Sequence, residues 1–281
     1  MARRAIRVLT LALVAVGAVA CAQRQATVES GKFADTVRVV VYNMHAGKDA
    51  AGVDNLQRIV DFVRDARADV VLLQEVDQGT RRSGEVDQPA VLAQRTGFHV
   101  AFGSALDYDG GKYGVATLSR WPITFDTLYR LPVDPPQERA GGSREPRGML
   151  RADIASPHGL LTVFNTHIDA SRDDTWRRQE AAVIVSTVTA TRTTRPLALL
   201  GGDMNSTPES AVQEMVRAAG LRDAFAECGL GAGLTFPSDS AVKRIDYLYL
   251  TGGVRCARAE VAGARASDHR PLVVTVLLPR S

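Results

Sequence analysis

Several features are missing from this sequence, and each absence narrows what it can be. No internal repeat and no low-complexity tract is present, which argues against a solenoid or another repeat array. No second linker follows the N-terminal region, so a single domain is expected over residues 36–281, with its last strand ending near Leu278. No apolar stretch is long enough to span a membrane comfortably; the candidate run is residues 8–20.

That run follows Arg3, Arg4 and Arg7 and ends in small residues before Cys21, the layout of a secretory signal. Residues 18–21 are similar to a bacterial lipobox, in which the cysteine becomes the lipidated first residue. Ala18 stands where leucine is more usual, so plain cleavage and an uncleaved anchor remain alternatives. The expected product is exported to the cell envelope as a membrane-anchored lipoprotein, or else secreted. Residues 22–35 are polar and aperiodic, which suits a tether between anchor and domain.

An excess of charge is missing too. The whole chain has 34 basic and 31 acidic residues, but residues 1–20 hold three arginines and no acid. Without them the balance is zero, so the basic pI is no argument for nucleic-acid binding. Cysteine is scarce: beyond Cys21 only Cys228 and Cys256 remain. In an oxidising compartment they form a disulfide or stay as two buried thiols; spacing alone leaves both open.

What is present is a series of apolar strands whose ends carry chemistry. Strands are predicted over residues 37–42, 70–74, 98–104, 114–119, 149–154, 161–166, 196–200, 245–250 and 272–278, with one more before the last. Helices are predicted over 54–66, 89–96, from Asp173 or Asp174 to 188, and 209–219. The last of these is expected to open at Ser206-Thr207-Pro208, with a hydroxyl as N-cap. Residues 132–146, rich in Pro, Gly and charge, read as a long loop. Asn43, Glu75, His167 and the Asp203–Asn205 pair each follow an apolar strand, while Asp246 and Asp268-His269 stand at or just before one. Layered sheets bring such ends to a common rim.

Hard divalent cations take oxygen ligands, and a histidine backed by a carboxylate can act as a general base or a hydrogen-bond donor. Together these residue types suit metal-assisted attack of water on a phosphoester. Six segments carry them in order: Tyr42-Asn43-Met44, Leu73-Gln74-Glu75-Val76, Asn165-Thr166-His167, Gly202-Asp203-Met204-Asn205, Arg244-Ile245-Asp246-Tyr247 and Ser267-Asp268-His269. Spread over about 225 residues, they resemble the ordered motifs of the endonuclease/exonuclease/phosphatase superfamily.

The resemblance implies a four-layer α/β/β/α sandwich of two mixed β-sheets flanked by helices, and Mg²⁺-dependent phosphoester hydrolysis with Mn²⁺ as a substitute. It places Asn43, Glu75 and Asp268 with the metal, and Asp203 with the attacking water. Asn205 would contact the scissile phosphate, and His167 would stabilise developing charge. His269, paired with Asp246, would serve as base or phosphate ligand. Tyr113 and either Arg144 or Arg147 would reach the phosphate. Two positions depart from the pattern. His45 stands where some nucleases carry a metal-side aspartate, and Val115 where asparagine is frequent.

Taken singly, each residue has a structural alternative. Glu75 and Asn43 could shape turns, the histidines could be satisfied core residues, and Asp246 could merely pair with Arg244. Asp49, Asp77, Arg81 and Asp87 read as solvated rim residues. Six motifs in order outweigh these alternatives for the site residues, and the complete set argues against a silent binding protein. The expected function is a phosphodiesterase acting as a monomer on a small or lipid-linked phosphoester. Nuclease or sphingomyelinase-like action stands as the alternative, although no exposed apolar hairpin for the latter is evident.

Overall fold

The computed structural model describes residues 33–137, 140 and 142–279. The signal segment, Cys21 and most of the proposed tether lie outside the described residues. In chain order the elements are β1 (Phe33–Asn43), α1 (Leu56–Asp65), β2 (Val70–Gln78), α2 (Gln88–Thr96), β3 (His99–Tyr108), β4 (Gly111–Ser119) and β5 (Ile123–Arg130). There follow β6 (Gly148–Ser156), β7 (Gly159–His167), α3 (Thr175–Arg192), β8 (Ala198–Asp203) and α4 (Ala211–Ala218). The chain ends with β9 (Arg222–Asp223), α5 (Ala224–Cys228), β10 (Gly229–Leu230), β11 (Asp246–Leu250), β12 (Arg255–Val261) and β13 (Leu272–Pro279).

The strands form two mixed sheets, ordered β10-β12-β13-β1-β2-β4-β3 and β5-β6-β7-β8-β11-β9. Strand β1 shows how the layers arise from sequence. Val37, Val39 and Val41 point into the core between the sheets, where they join Leu72, Val163, Leu199, Leu248 and Val274. Val40 and Tyr42 point the other way, onto Ile59, Val60 and Val63 of α1 and Leu92 of α2. Both faces are covered along the second half of the strand, so residues 39–42 are continuously apolar rather than alternating. The second sheet repeats this, with Phe164, Leu200, Tyr247 and Tyr249 packed on Ala181, Ile184 and Val188 of α3 and on Val212 and Val216 of α4. Two sheets between two helical layers make the expected deoxyribonuclease-like sandwich.

Some local expectations need correction. Strand β1 begins at Phe33, inside the stretch read as tether, and its first residues pair with β13. Strand β5 has no counterpart in the sequence-based assignment. It is an edge strand with Phe125 exposed, and half burial weakens its apolar signature. Helix α4 opens at Ala211, not at Ser206: the Ser210 hydroxyl accepts a hydrogen bond from the Gln213 N–H. Ser206 instead sits in the preceding turn, where its carbonyl accepts from the Tyr247 hydroxyl and its Oγ from Gln213 Nε2. Asp77 is not a solvated rim residue but fully buried, held by Arg82 at 2.8 Å and by the Thr80 hydroxyl. Asp87 caps α2 through the Ala90 N–H. Cys228 and Cys256 form a disulfide that ties α5 to β12.

The glycine pair at the end of β8 has a steric cause. A Cβ on Gly201 would lie 2.6 Å from a methyl of Leu72 across the sheet interface. A Cβ on Gly202, whose φ is +150°, would lie 1.9 Å from the Thr166 carbonyl oxygen on the paired strand β7. At Gly202 only glycine lets the two backbones approach so closely, whereas at Gly201 it leaves room for the facing side-chain methyls. Gly202→Ala is therefore expected to destabilise the fold by about 3 kcal/mol or more. Chemical denaturation is the check, and a variant within 0.5 kcal/mol of wild type, roughly the size of a neutral surface change, would refute the steric account.

Candidate active site

The two sheets deliver their charged strand ends to one rim. Parallel pairing of β1 with β2, and of β7 with β8, sets Asn43 beside Gln74 and His167 beside Asp203. Antiparallel pairing of β8 with β11 sets Asp246 opposite Asp203. Glu75 does not follow the end of its strand; it lies within β2, where the register with β4 shifts between Leu73 and Val76. Its φ of +55° is a left-handed conformation rare for glutamate. A bulge of this kind re-aims a side chain out of the ladder, and the Glu75 carboxylate accepts a hydrogen bond from Asn43 Nδ2 at 3.0 Å.

Asn43 Nδ2 also donates to Asp203 Oδ2 at 3.0 Å, so one carboxamide links both sheets. Asp203 is buried, and its other oxygen accepts the Asn205 N–H at 2.9 Å. Two imidazoles flank Asp203 Oδ2: His167 Nε2 at 3.5 Å and His269 Nε2 at 3.6 Å. Burial, then the charge of Asp246, pushes the Asp203 carboxyl up to about 7, against the opposing pull of His269, Asn205 and Asn43. It is thus a carboxylate able to exchange a proton near neutral pH.

The two histidines are electrostatically opposite. His269 Nδ1 lies 2.9 Å from Asp246 Oδ2. Burial opposes the imidazolium, but Asp246, Asp203 and the hydrogen bond to Asp246 outweigh it, and the pKa is pushed up to about 10. His167 Nδ1 lies 2.6 Å from Arg147 Nη1. A guanidinium only donates, so Nδ1 accepts and the ring proton sits on Nε2, facing Asp203. Burial, Arg147 and His269 hold this imidazole well below its ordinary pKa, so it is neutral. The Asn205 carboxamide lies beside it, its Nδ2 3.1 Å from His167 Nε2 and donating to the Ile168 carbonyl.

Of the two arginines weighed from sequence, the structure brings Arg147 to the site. It is 3% exposed, paired with Glu145 at 2.7 Å, and its charge survives burial chiefly because of that glutamate. Arg144 enters instead through its backbone, whose N–H donates to Asp169 Oδ2. Tyr113, Arg147 and His167 line a cavity of about 10 Å³, close to the size of one water. The Tyr113 hydroxyl is buried, with no hydrogen-bond partner among the described residues. Val115 lines the same cavity. Asp268 sits at the edge of the site, 3.8 Å from His45 Nδ1. Ser267 anchors this segment by donating to the Asn43 carbonyl at 2.7 Å. Arg244 pairs with Asp223, leaving Asp246 to His269.

The donor set fits a hard divalent cation. Glu75, Asp203 and Asp246 crowd negative charge into the rim, and Asp246 Oδ1 is buried without a hydrogen-bond partner. Asp203, Asp246 and His269 present ligand atoms within 4.8 Å of one another. The His269 ring is already committed to Asp246, so the oxygens of Glu75 and Asn43, beside Asp203, are the better seat for a metal. When bound, such a cation polarises the phosphoryl oxygen and offsets charge on the leaving group.

Three supporting residues had no role assigned from sequence, although Gln74 and Asn165 stand inside two of the six motifs. Gln74 and Asn165 join the sheets beneath the site: Gln74 Nε2 donates to Asn165 Oδ1 at 2.6 Å, and Asn165 Nδ2 donates to the carbonyls of Leu73 and Ala116. Glu180 is fully buried and accepts the Asp169 N–H at 2.7 Å. Its signal was available, since Arg177, Glu180, Ala181, Ile184 and Val188 fall on one helical face. A pocket of about 350 Å³ opens beside these groups, with His269, Asn205 and Phe236 in its wall.

Imidazole donors, a proton-exchanging carboxylate and a cluster of oxygen ligands around one point define a phosphoester hydrolase. The chain belongs to the endonuclease/exonuclease/phosphatase family, whose sequence profile matches residues 40–269. It is 25% identical over 252 residues to "Uncharacterized protein YbhP" of Escherichia coli (strain K12), across 86% of this chain and 96% of that protein. Among solved structures it is similar to an endonuclease/exonuclease/phosphatase from Beutenbergia cavernae DSM 12333, with a TM-score of 0.74 and 22% identity over 86% of this chain and 72% of that one. It is also similar to the Bacteroides thetaiotaomicron VPI-5482 mannosyl-6-phosphatase Bt3783, with a TM-score of 0.71 and 18% identity over 86% of this chain and all of that one.

Burial pushes the Glu180 carboxyl up to about 8, partly countered by the Asp169 N–H and Arg147. A folded-state pKa above the unfolded value means that stability is lost as pH rises from about 4.5 through about 8. Glu180→Gln removes that loss. Its melting temperature should exceed wild type by roughly 5 °C at pH 9 and match it at pH 4.5; equal gains at both values would rule out the titration.

Proposed function

We propose that the protein is a Mg²⁺-dependent phosphodiesterase acting on a small or lipid-linked phosphodiester outside the cytoplasm. The observation that carries this is Asp203, with a pKa near neutrality, set between a neutral and a charged imidazole beside Glu75 and Asn43. Asp203 takes a proton from the attacking water as its oxygen bonds to phosphorus. The bond to the leaving oxygen breaks, and that oxygen regains a proton from solvent. His269 acts as an imidazolium donor to a phosphoryl oxygen rather than as the base, because Asp246 keeps it protonated. The neutral His167 Nε2–H and the Asn205 amide serve the same phosphoryl group, with Arg147 fixing the tautomer. The metal would be held by Glu75 and Asn43, with Asp268 supporting from the edge.

The preference for a small substrate rests on the zero net charge beyond residue 20 and on the 350 Å³ pocket, a volume suited to a small molecule rather than a duplex. Export is supported by the basic, apolar and small-residue order of residues 1–21 and by the Cys228–Cys256 disulfide, which suits an oxidising compartment. Lipidation at Cys21 would hold the enzyme on a membrane surface.

Two measurements test these claims. Hydrolysis of bis(p-nitrophenyl) phosphate should require added Mg²⁺, stop with chelator, and fall by about 10³-fold or more in kcat for His269→Ala. Turnover indifferent to chelator would defeat the mechanism, and nicking of plasmid DNA at low enzyme concentration would put the nuclease reading first. Mass spectrometry of the mature N-terminus should find a diacylglycerol-modified Cys21; an unmodified residue would remove the membrane argument.

A further inference from the structure

The pocket beside the active site holds more positive charge than its own surroundings use. Its wall contains Arg172 and Lys243, both exposed, and neither side chain has an ion-pair or hydrogen-bond partner among the described residues. Arg177, only 9% exposed, lines it as well. Arg177 directs Nη1 to the carbonyls of Asp169 and Ser171, and its Nε is buried without a partner. Among the described residues no carboxylate lines this pocket. Solvated surface cations are ordinary; the charge of Arg177 is met in part by Asp173 and Glu180, but Arg172 and Lys243 share the cavity with no side-chain partner among the described residues, an arrangement that favours an anion there.

The position of the pocket says where that anion belongs. His269 and Asn205, which face the scissile phosphoryl group in the mechanism above, are part of the same wall. Phe236 is the aromatic face between the two regions, its ring 4.8 Å from that of His269. The Phe236 backbone also exchanges hydrogen bonds with that of Lys243, which sets the two residues side by side in the wall. Arg172 approaches from the loop before α3, which Arg177 braces.

Building on the phosphodiesterase reading, we infer that this pocket is a second phosphate subsite, and that the preferred substrate is a small phosphodiester carrying a further phosphate on a ring held against Phe236. Arg172 and Lys243 are its specificity-determining residues. Two chromogenic esters isolate the effect: thymidine 5′-(p-nitrophenyl phosphate) and the same compound bearing a 3′-phosphate. In wild type the second ester should have the higher kcat/KM by about tenfold or more, the gain expected of charge-assisted hydrogen bonds. In the double variant Arg172→Ala/Lys243→Ala the ratio of the two should fall to near one, while Lys243→Arg retains it. Equal or lower wild-type kcat/KM for the 3′-phosphate ester, or a ratio untouched in the double variant, would overturn the subsite. Hydrolysis of neither ester would overturn the phosphodiesterase reading on which it rests.

Discussion

Buried negative charge is the constraint to which the rest of this structure answers. Glu75, Asp203 and Asp246 converge where two sheets end, and Asp203 and Asp246 are almost wholly withdrawn from solvent. Carboxylates so placed are costly unless each is met by donors or counter-charge. His269 answers Asp246, Asn43 answers Glu75 and Asp203, and the Asn205 backbone answers Asp203 again. The charge left over fits a cation at the rim, and burial together with Asp246 raises the Asp203 carboxyl toward neutrality.

The backbone bends to meet this requirement. Glu75 and Asn205 both adopt positive φ, as do His45 and Ala46 just after Asn43. Such conformations cost free energy in non-glycine residues and persist where surrounding packing determines them. Here the surroundings are rigid: the Gln74–Asn165 hydrogen bonds pin one sheet to the other directly beneath the site. The β2 bulge would be free to relax without that pin, and Glu75 would lose its approach to Asn43.

Behind the reacting groups lies a second charge arrangement with a different task. Glu145 neutralises Arg147, and Arg147 in turn selects the tautomer of His167. Two histidines of identical intrinsic chemistry thereby acquire opposite states, one held cationic against burial by carboxylates and one held neutral by burial and a guanidinium. Their difference lies wholly in their neighbours, as with paired acids and bases generally.

The sequence by itself carried, through its resemblance to the family, the expectation of the layered α/β/β/α class, and it picked out the ordered set Asn43, Glu75, His167, Asp203, Asn205, Asp246 and His269. Apolar runs ending in polar residues are local signals, and six ordered motifs do not arise from unrelated turns. Residues 1–21 likewise speak only through sequence. Tertiary structure decided what depends on contact between distant segments: Arg147 over Arg144, the partner of Asp246, the burial of Asp77, the Cys228–Cys256 bond and the start of α4 after Ser210. It also revealed the roles of Glu145, Gln74 and Glu180, which follow from the guanidinium, the carboxamide and the backbone N–H that each one meets. A linear pattern records residue type and spacing, whereas protonation and pairing depend on distances that exist only once the sheets have packed.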